Sequence, residues 1–145
     1  MPGKHIIPLI QLNLKTGEKK EYTKDFDQNV GGLSWADDNT IYFISDYHAT
    51  DEIYKLTLND GKIDKLTEGV HNYTSVIPVN DYLIATKVSM SKPAEIYKVD
   101  PTTGKDTELS FVNKGILDQL TMGKVESRWI KTTDNKQMLT WVIYP

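Results

Sequence analysis

The sequence contains no cysteine among its 145 residues. Disulfide bonds, thiolate zinc sites and cysteine nucleophiles are therefore excluded. A chain without thiols is compatible with oxidising and reducing compartments alike, so this absence does not indicate where the protein resides. With 39% hydrophobic and 26% charged residues, the composition is that of an ordinary globular domain, and the chain is long enough to bury one hydrophobic core.

Long hydrophobic runs are also absent. The longest apolar stretch near the N-terminus is "IIPLI" at 6–10, whereas a membrane helix needs about 20 apolar residues and a signal peptide needs a longer apolar core. We therefore predict no membrane partner and no targeting signal in this chain.

Basic clusters are equally scarce. The formal net charge is -3, and Lys19-Lys20 is the only adjacent basic pair. Because phosphate binding depends on clustered lysines and arginines, we predict no nucleic-acid partner.

Histidine is rare, and no arrangement of histidines predicts catalysis. His5, His48 and His71 lie in different segments without a second ligand type at metal-binding spacing. A triad of His71 with Ser75 and Asp64 can be drawn, but nothing near these residues supplies an oxyanion hole.

Three carboxylates form a further candidate cluster. Asp46, Asp51 and Glu52 fall on the segment "SDYHATDE" (45–52), and paired acids can serve in glycoside hydrolysis or bind calcium. The segment lacks the spaced Asp, Asn and Gly order of a calcium loop, so we interpret it as a solvated surface loop. The sequence thus predicts no catalytic, cofactor-binding or metal-binding residue, and no cofactor.

Short runs rich in Ile, Val, Tyr, Thr and Trp recur between clusters of Gly, Asn and Asp, which predicts an all-β fold. The predicted strands are 8–14, 31–36, 40–45, 52–58, 73–79, 82–89, 95–100, 124–132 and 137–144. Segment 113–123 is predicted to be a loop with one helical turn. Six aromatic residues fall at inward positions of these strands and are expected in the core: Trp35, Trp129, Trp141, Tyr42, Tyr54 and Tyr97.

Three glycines mark an internal repeat. Gly17, Gly61 and Gly104 are 44 and 43 residues apart, and each stands in a turn of the kind "NDG". Glycine adopts the positive φ of tight hairpin turns at little cost, so each turn predicts an antiparallel hairpin. The flanking residues keep the same register: Ile10, Tyr54 and Tyr97; Leu12, Leu56 and Val99; Tyr22, Leu66 and Leu109; Thr23, Thr67 and Ser110.

The repeat predicts a β-propeller. Segment 75–86 repeats the pattern of segment 34–45. Each copy therefore holds about four strands, as a propeller blade does. The 145 residues hold about three such blades, whereas closed rings typically have four to eight. An open arc exposes apolar faces and strand edges, which favours either a homo-oligomer or a longer parent chain. A β-sandwich is the alternative, although its strands have no reason to keep this register.

The repeat also resembles known propellers. "LSWADDNTIYFISD" (33–46) and "DEIYKLTLNDGKIDKLTEG" (51–69) resemble the repeat of the Tol-associated propellers and of the prolyl oligopeptidase family. Ala36 and Asp37 depart from the usual Ser-Pro, and Asn39 stands where glycine is common.

The C-terminal segment distinguishes these relatives. "GKVESRWIKTTDNKQMLTWVIYP" (123–145) resembles the hairpin that leads into the hydrolase domain of prolyl oligopeptidase family serine peptidases of the dipeptidyl and acylaminoacyl type. The matching residues are Thr133, Asp134, Leu139, Trp141 and Pro145, with Asn135 in the glycine position. The sequence contains no G-x-S-x-G motif, so the catalytic α/β-hydrolase domain and its nucleophile are expected outside this chain.

The resemblance implies blades in 1–122 and a linking hairpin in 123–145. It implies a non-catalytic fragment that gates access to the active site of a peptide-cleaving serine peptidase. The partners of the fragment would then be the parent's hydrolase domain and its peptide substrates, in the periplasm or the cytoplasm. Two alternatives remain: a protein-binding propeller module of the Tol-associated type, and a small propeller completed by further copies of the chain.

Overall fold

The computed structural model describes residues 6–145, and their regular secondary structure is almost entirely β-strand. The elements are β1 (Ile10–Leu12), β2 (Lys19–Glu21), β3 (Gly31–Asp37), β4 (Thr40–Tyr47), β5 (Thr50–Thr57), β6 (Lys62–Lys65), β7 (Asn72–Val79), β8 (Tyr82–Ser89), β9 (Lys92–Val99), β10 (Asp106–Glu108), α1 (Lys114–Leu117), β11 (Val125–Lys131) and β12 (Gln137–Ile143). The predicted helical turn in 113–123 is confirmed as the four-residue α1.

The strands form successive blades. We call the β1–β2 hairpin blade 1, the antiparallel sheet β3-β4-β5-β6 blade 2 and the antiparallel sheet β7-β8-β9-β10 blade 3. One parallel bridge, Asp51 to Asn72, joins blades 2 and 3. Their first strands also touch, since the Ser34 hydroxyl donates to the Val76 carbonyl over 2.8 Å. This is the predicted open, partial propeller, although blade 1 contributes two described strands instead of four.

The last strand of each blade was not among the predicted strands. These strands are β2, β6 and β10, with the sequences KKE, KIDK and DTE. They lie at the outer edge of their blades, where charged residues are favoured and the alternation of apolar and polar residues is weak. The glycine turns predicted their position, whereas apolar periodicity did not.

The repeated glycine turns are confirmed. Gly17, Gly61 and Gly104 have φ angles of 74°, 71° and 70°, and each N–H donates to the carbonyl four residues earlier over 2.8–2.9 Å. Their surroundings differ. A Cβ on Gly104 would lie 1.9 Å from the Leu66 carbonyl oxygen in blade 2, whereas one on Gly17 would meet nothing within 4 Å. The third turn therefore also sets how closely blade 3 approaches blade 2.

Two apolar cores lie between the blades. The core between blades 1 and 2 contains Leu9, Val30, Ile41, Phe43, Tyr54, Leu56 and Leu58. The core between blades 2 and 3 contains Tyr42, Ile53, Tyr73, Val76, Leu83, Ala85, Tyr97 and Val99. Tyr42, Tyr54 and Tyr97 are therefore buried, as predicted.

The tryptophans do not follow the prediction. Trp35 is 56% exposed and Trp129 is 55% exposed, while Trp141 is partly buried. Trp35 pairs with Ile41 and so shares the face of blade 2 that meets blade 1. Blade 1 covers that face at β4 and β5, but no described strand of blade 1 lies opposite β3. An inward position is buried only where a neighbouring blade covers it.

The predicted loop 45–52 is instead a hairpin. β4 continues to Tyr47 and β5 begins at Thr50, so the turn consists of His48 and Ala49, both with positive φ (50° and 62°). Two such residues form the tight turn that matches the twist of paired strands. His48 is exposed, as predicted. Glu52, however, lies within β5 and is fully buried, so its assignment to a solvated loop is wrong.

Glu52 belongs to a polar network that repeats with the blades. The Thr67 hydroxyl donates to Glu52 Oε2 over 2.6 Å and accepts the N–H of Ile53 over 2.9 Å. In blade 3, the Ser110 hydroxyl likewise donates to Glu95 Oε2, and it accepts the N–H of Ile96 over 2.8 Å. Each carboxylate is thus buried with donors that compensate its desolvation.

Blade 1 retains half of this network. The Thr23 hydroxyl accepts the N–H of Leu9 over 2.7 Å, which is the backbone contact found in the other blades. Pro8 stands where they carry the glutamate. The hydroxyl-to-backbone contact is therefore common to all three blades, and the buried carboxylate is specific to blades 2 and 3.

We expect the buried Glu95 to make stability depend on acid pH. Hydrogen bonds from the Ser110 hydroxyl and the Asn113 backbone lower the pKa of Glu95 from 4.5 to about 2. A lowered pKa means that the ionised side chain stabilises the fold above the unfolded pKa, and that this contribution disappears as the pH falls through the folded value. Glu95→Gln should therefore flatten the decline of unfolding free energy between pH 4.5 and 2, measured by urea denaturation.

The exposed Glu18 provides a matched control. Glu18→Gln should keep the pH dependence of the unsubstituted protein. Identical pH profiles for the protein and for Glu95→Gln would contradict the assigned role of the network.

We expect Gly104→Ala to destabilise the fold more than Gly17→Ala. Both substitutions place a side chain at positive φ, which costs about 1–2 kcal/mol. Only Gly104→Ala also pushes against the backbone of the neighbouring blade, which should add about 1–3 kcal/mol. Thermal or urea unfolding of both variants measures the difference, and equal losses would show that the blade contact at Gly104 is not tight.

Candidate interaction surfaces

The structure does not bring the residues of the candidate triad, His71, Ser75 and Asp64, together. Ser75 donates to the Thr86 hydroxyl over 2.9 Å, and Asp64 pairs with Lys62 at 2.9 Å. His71 Nε2 lies 3.3 Å from Glu52 Oε2. The three residues of the drawn triad thus have separate partners. His5 lies outside the described residues.

Residues 6–145 contain neither a metal-binding cluster nor a membrane-spanning helix. Within this range, no group of three or more His, Asp or Glu side chains could hold a metal ion. No helix in the same part of the chain is long and apolar enough to cross a membrane.

The far face of blade 3 is apolar and uncovered. Ile53 in blade 2 is buried against blade 3, with 0% exposure, whereas Ile96, 43 residues later at the same repeat position, is 45% exposed. Ile77 and Ile84 pair across β7 and β8 on this face, and Ile77 is exposed. The difference between two equivalent isoleucines shows that the face is built for packing and has no described neighbour.

Blade 1 also has an uncovered apolar face, at the opposite end of the arc. Tyr54 and Leu56 are buried where blade 2 meets blade 1. Their repeat equivalents in blade 1, Ile10 and Leu12, are exposed. The arc therefore ends in two apolar faces, one of the type that meets a preceding blade and one of the type that meets a following blade.

A third apolar surface lies beside α1. A groove runs between the β8–β9 turn and segment 111–122, and contains two adjoining cavities of about 490 and 330 Å³. Its walls are formed mainly by Met90, Pro93, Leu117 and Met122. Glu95 anchors this segment, because its carboxylate accepts the backbone and side-chain N–H groups of Asn113 over 3.0 and 3.1 Å.

A fourth surface joins blade 2 to the C-terminal hairpin. A recess of about 230 Å³ lies between the β4–β5 turn, loop 68–70 and the β11–β12 hairpin. The rings of Tyr47 and His48 are stacked with centroids 4.1 Å apart, and Trp129 meets His48 edge-on at 5.4 Å. We call this site the aromatic recess. The sequence did not predict this site, because alternation assigned Trp129 and Trp141 to a core.

Charged side chains of both signs lie near the aromatic recess. Asp46 and Asp51 are direct cross-strand partners at the end of the β4–β5 hairpin. Burial raises the pKa of Asp51, and the neighbouring Asp46 and Glu52 raise it further. Glu68 lines the recess and pairs with Lys65 at 2.9 Å. Lys65 Nζ also lies 3.4 Å from the centroid of the Tyr47 ring, so acidic and basic groups both border the recess.

The backbone conformation of the β11–β12 turn is compatible with the glycine of the resembled signature. β11 and β12 pair without interruption from Val125–Ile143 to Lys131–Gln137. Asn135, which occupies the glycine position of the resembled signature, has a φ of 63°. Asparagine tolerates the left-handed region better than most residues, so it can replace glycine there.

No family model matches the chain. Among curated proteins, the dipeptidyl-peptidase 5 of Porphyromonas gingivalis is 38% identical over 138 residues, which is 94% of this chain and 20% of that protein. The dipeptidyl-peptidase 5 of Porphyromonas endodontalis is 36% identical over 106 residues, covering 73% of this chain and 15% of that protein. The chain thus spans a fifth or less of the length of these relatives.

Solved structures share the fold. The acylaminoacyl peptidase of Pyrococcus horikoshii matches with a TM-score of 0.72 at 22% identity, over 89% of this chain and 20% of that one. The β-propeller domain of the trilobed protease from Pyrococcus furiosus matches with a TM-score of 0.56 at 20% identity, over 68% and 30% of the two chains. TolB from Acinetobacter baumannii matches with a TM-score of 0.58 at 20% identity, over 72% and 27%. The predicted resemblance is confirmed: this chain is homologous to one segment of dipeptidyl-peptidase 5 and has the partial β-propeller fold also found in acylaminoacyl peptidase.

Proposed function

We propose that the chain is a non-catalytic propeller segment of a longer serine peptidase that cleaves peptides. The observation that carries this proposal is the contrast between Ile53 and Ile96, which occupy the same repeat position but differ in burial. An apolar blade face of this kind needs a following blade or another partner. The similarity to about a fifth of dipeptidyl-peptidase 5 supports a longer parent protein.

The proposed organisation divides the chain into blades in 1–122 and a linking hairpin in 123–145. Two features support it: β11 and β12 form a sheet of their own, and Asn135 adopts the backbone conformation of the glycine it replaces. In the parent protein the hairpin leads into the catalytic hydrolase domain. That domain is the first proposed partner of the chain, and peptide substrates are the second.

In the proposed parent, the propeller covers the active site and restricts which peptides can enter. Closing off an active site limits which substrates reach it, and an arc of blades beside the active site forms part of such a barrier. The dipeptidyl and acylaminoacyl specificities differ in the N-terminal group of the substrate. The gating proposal applies to either specificity.

A protein-binding module is the second candidate function. The fold similarity to TolB supports it, and the exposed apolar surfaces of the arc could serve a protein partner. The two candidates differ in what surrounds the segment: a peptidase requires a G-x-S-x-G strand-turn-helix unit in the same polypeptide, whereas a binding module requires only further blades.

We also propose that the chain alone forms homo-oligomers. Its two end faces correspond to the two sides of an internal blade contact, so the Ile96 face of one copy can meet the Ile10 face of another. Such a head-to-tail contact continues the packing found between blades 2 and 3, and it is heterologous. Sequestering exposed isoleucines favours association by about 25 cal/mol per Å² of apolar surface buried.

We expect no peptidase activity from the 145-residue chain. Dipeptidyl and N-acylated aminoacyl chromogenic substrates should release no product above the uncatalysed rate, because no described group activates a nucleophile. A turnover that is abolished by a serine-directed inhibitor would overturn the proposal.

We expect analytical sedimentation to show oligomers of the chain whose population rises with concentration. Ile96→Lys should favour the monomer and raise the dissociation constant of the oligomer at least tenfold. A buried lysine opposite apolar residues is strongly disfavoured. Ile130→Lys is the matched control, because Ile130 is similarly exposed but lies on β11. A strict monomer at high concentration, or equal effects of the two substitutions, would contradict the head-to-tail contact.

A further inference from the structure

One side of β1 is an unpaired backbone edge. The Leu9 carbonyl accepts the N–H of the residue after β2 over 3.0 Å, and the Asn13 N–H donates to the residue before β2 over 2.8 Å. Alternate residues of an antiparallel strand direct their backbone groups to alternate sides, so Ile10 and Leu12 direct theirs away from β2. Within residues 6–145, β1 pairs with β2 and with no other strand.

The repeat shows what pairs with this edge in the other blades. The repeat equivalents of Ile10 and Leu12 are Tyr54 and Leu56 in β5, and both pair with β4. The third strand of blade 3, β9, likewise pairs with β8. In both four-stranded blades, the strand at this position is therefore the second strand of a hairpin, β3–β4 in blade 2 and β7–β8 in blade 3.

A second, independent observation concerns the first strand of the same hairpin. Trp35 in β3 and Val76 in β7 occupy the same repeat position, but Trp35 is 56% exposed whereas Val76 is 2% exposed. β3 lies against β7 at this point, since the Ser34 hydroxyl donates to the Val76 carbonyl over 2.8 Å. A first strand added to blade 1 would cover Trp35 as β3 covers Val76. We call the free backbone edge of β1 together with the exposed Trp35 ring the inner edge of blade 1.

The polar groups that border this edge are compatible with an added hairpin. The Gln11 side-chain oxygen accepts the Tyr22 hydroxyl over 2.8 Å, so it already has a partner. Asp37 and Asp38 lie at the β3–β4 turn. The equivalent turn of blade 3 carries Asp81, so an acidic turn does not prevent two blades from packing side by side.

We infer that the inner edge of blade 1 binds an antiparallel β-hairpin by strand addition, with the second strand of the hairpin paired to β1 and the first strand packed on Trp35. In this mode of recognition, backbone hydrogen bonds supply affinity and alternate side chains supply specificity. The partner therefore has the chemistry of β3–β4 and β7–β8, with apolar residues alternating along both strands. The inference goes beyond the proposed function and rests on the internal repeat alone.

The test uses the 145-residue chain labelled with ¹⁵N, and an unlabelled synthetic peptide of residues 72–89 as the probe. This peptide has the sequence of the β7–β8 hairpin, whose uncovered face carries Ile77 and Ile84. Because a lone hairpin is marginally stable, we expect a Kd on the order of 0.1 mM. At about 1 mM peptide, solvent exchange of the Ile10 and Leu12 amides should slow about tenfold, and the Trp35 indole resonance should shift saturably.

Proline variants on the two edges of blade 1 provide matched controls. Leu12→Pro removes an N–H that points away from β2, which an edge strand tolerates, and should weaken binding at least tenfold. Lys19→Pro removes an N–H on the opposite edge of the same hairpin and should leave binding unchanged. Trp35→Ser changes an exposed side chain and should also weaken binding. A probe peptide with serine in place of Ile77 and Ile84 should bind at least tenfold more weakly.

Unchanged solvent exchange of the Ile10 and Leu12 amides in excess peptide would overturn the inference. Equal binding to the Leu12→Pro and Lys19→Pro variants would overturn it as well, because the peptide would then associate with another part of the chain. Neither result bears on the proposed peptidase parent, which the activity assay tests, or on the head-to-tail contact, which Ile96→Lys tests.

Discussion

The structure depends on apolar contact between neighbouring blades. Each strand alternates its side chains between two faces, and both faces of blade 2 are apolar, so this blade must be covered twice. Phe43 and Tyr54 stack at 5.5 Å on the side of blade 1, and Phe26 closes the cluster with edge-on contacts to both rings. Tyr73 of blade 3 packs on the other side. Burial of each large side chain contributes about 1.5–3 kcal/mol, so an arc gains stability with every blade added.

The repeated polar network determines where the chain leaves one blade for the next. The carboxylate of Glu52 in β5 accepts the Gly69 N–H over 3.1 Å as well as the Thr67 hydroxyl. It therefore ties the third strand of blade 2 to the loop that leads to blade 3. Gly69 also lines the aromatic recess, so the buried acid holds one wall of that site in place. Removing one donor from such a network leaves a buried charge undercompensated, which costs more than an ordinary hydrogen bond.

The sequence predicted the structural features that recur in every repeat unit. The spacing of Gly61 and Gly104 was enough to align Tyr54 with Tyr97, and both are buried. It could not predict the exposure of Trp35, because alternation shows which face a side chain occupies and not whether another blade covers that face. The burial of Glu52 was missed for a different reason. The turn before it, His48-Ala49, contains no glycine or asparagine, so the hairpin lacked the residues by which such turns are normally recognised.

The exposed apolar surfaces of the arc are therefore of two kinds, and their repeat equivalents distinguish them. The end faces carry Ile10 and Ile96, whose repeat equivalents are buried within the chain. These faces are explained by packing alone. The aromatic recess has no equivalent in another blade, since the β11–β12 hairpin forms one of its walls. Repeat equivalence therefore assigns the end faces to blade contacts, and it makes no such assignment for the recess.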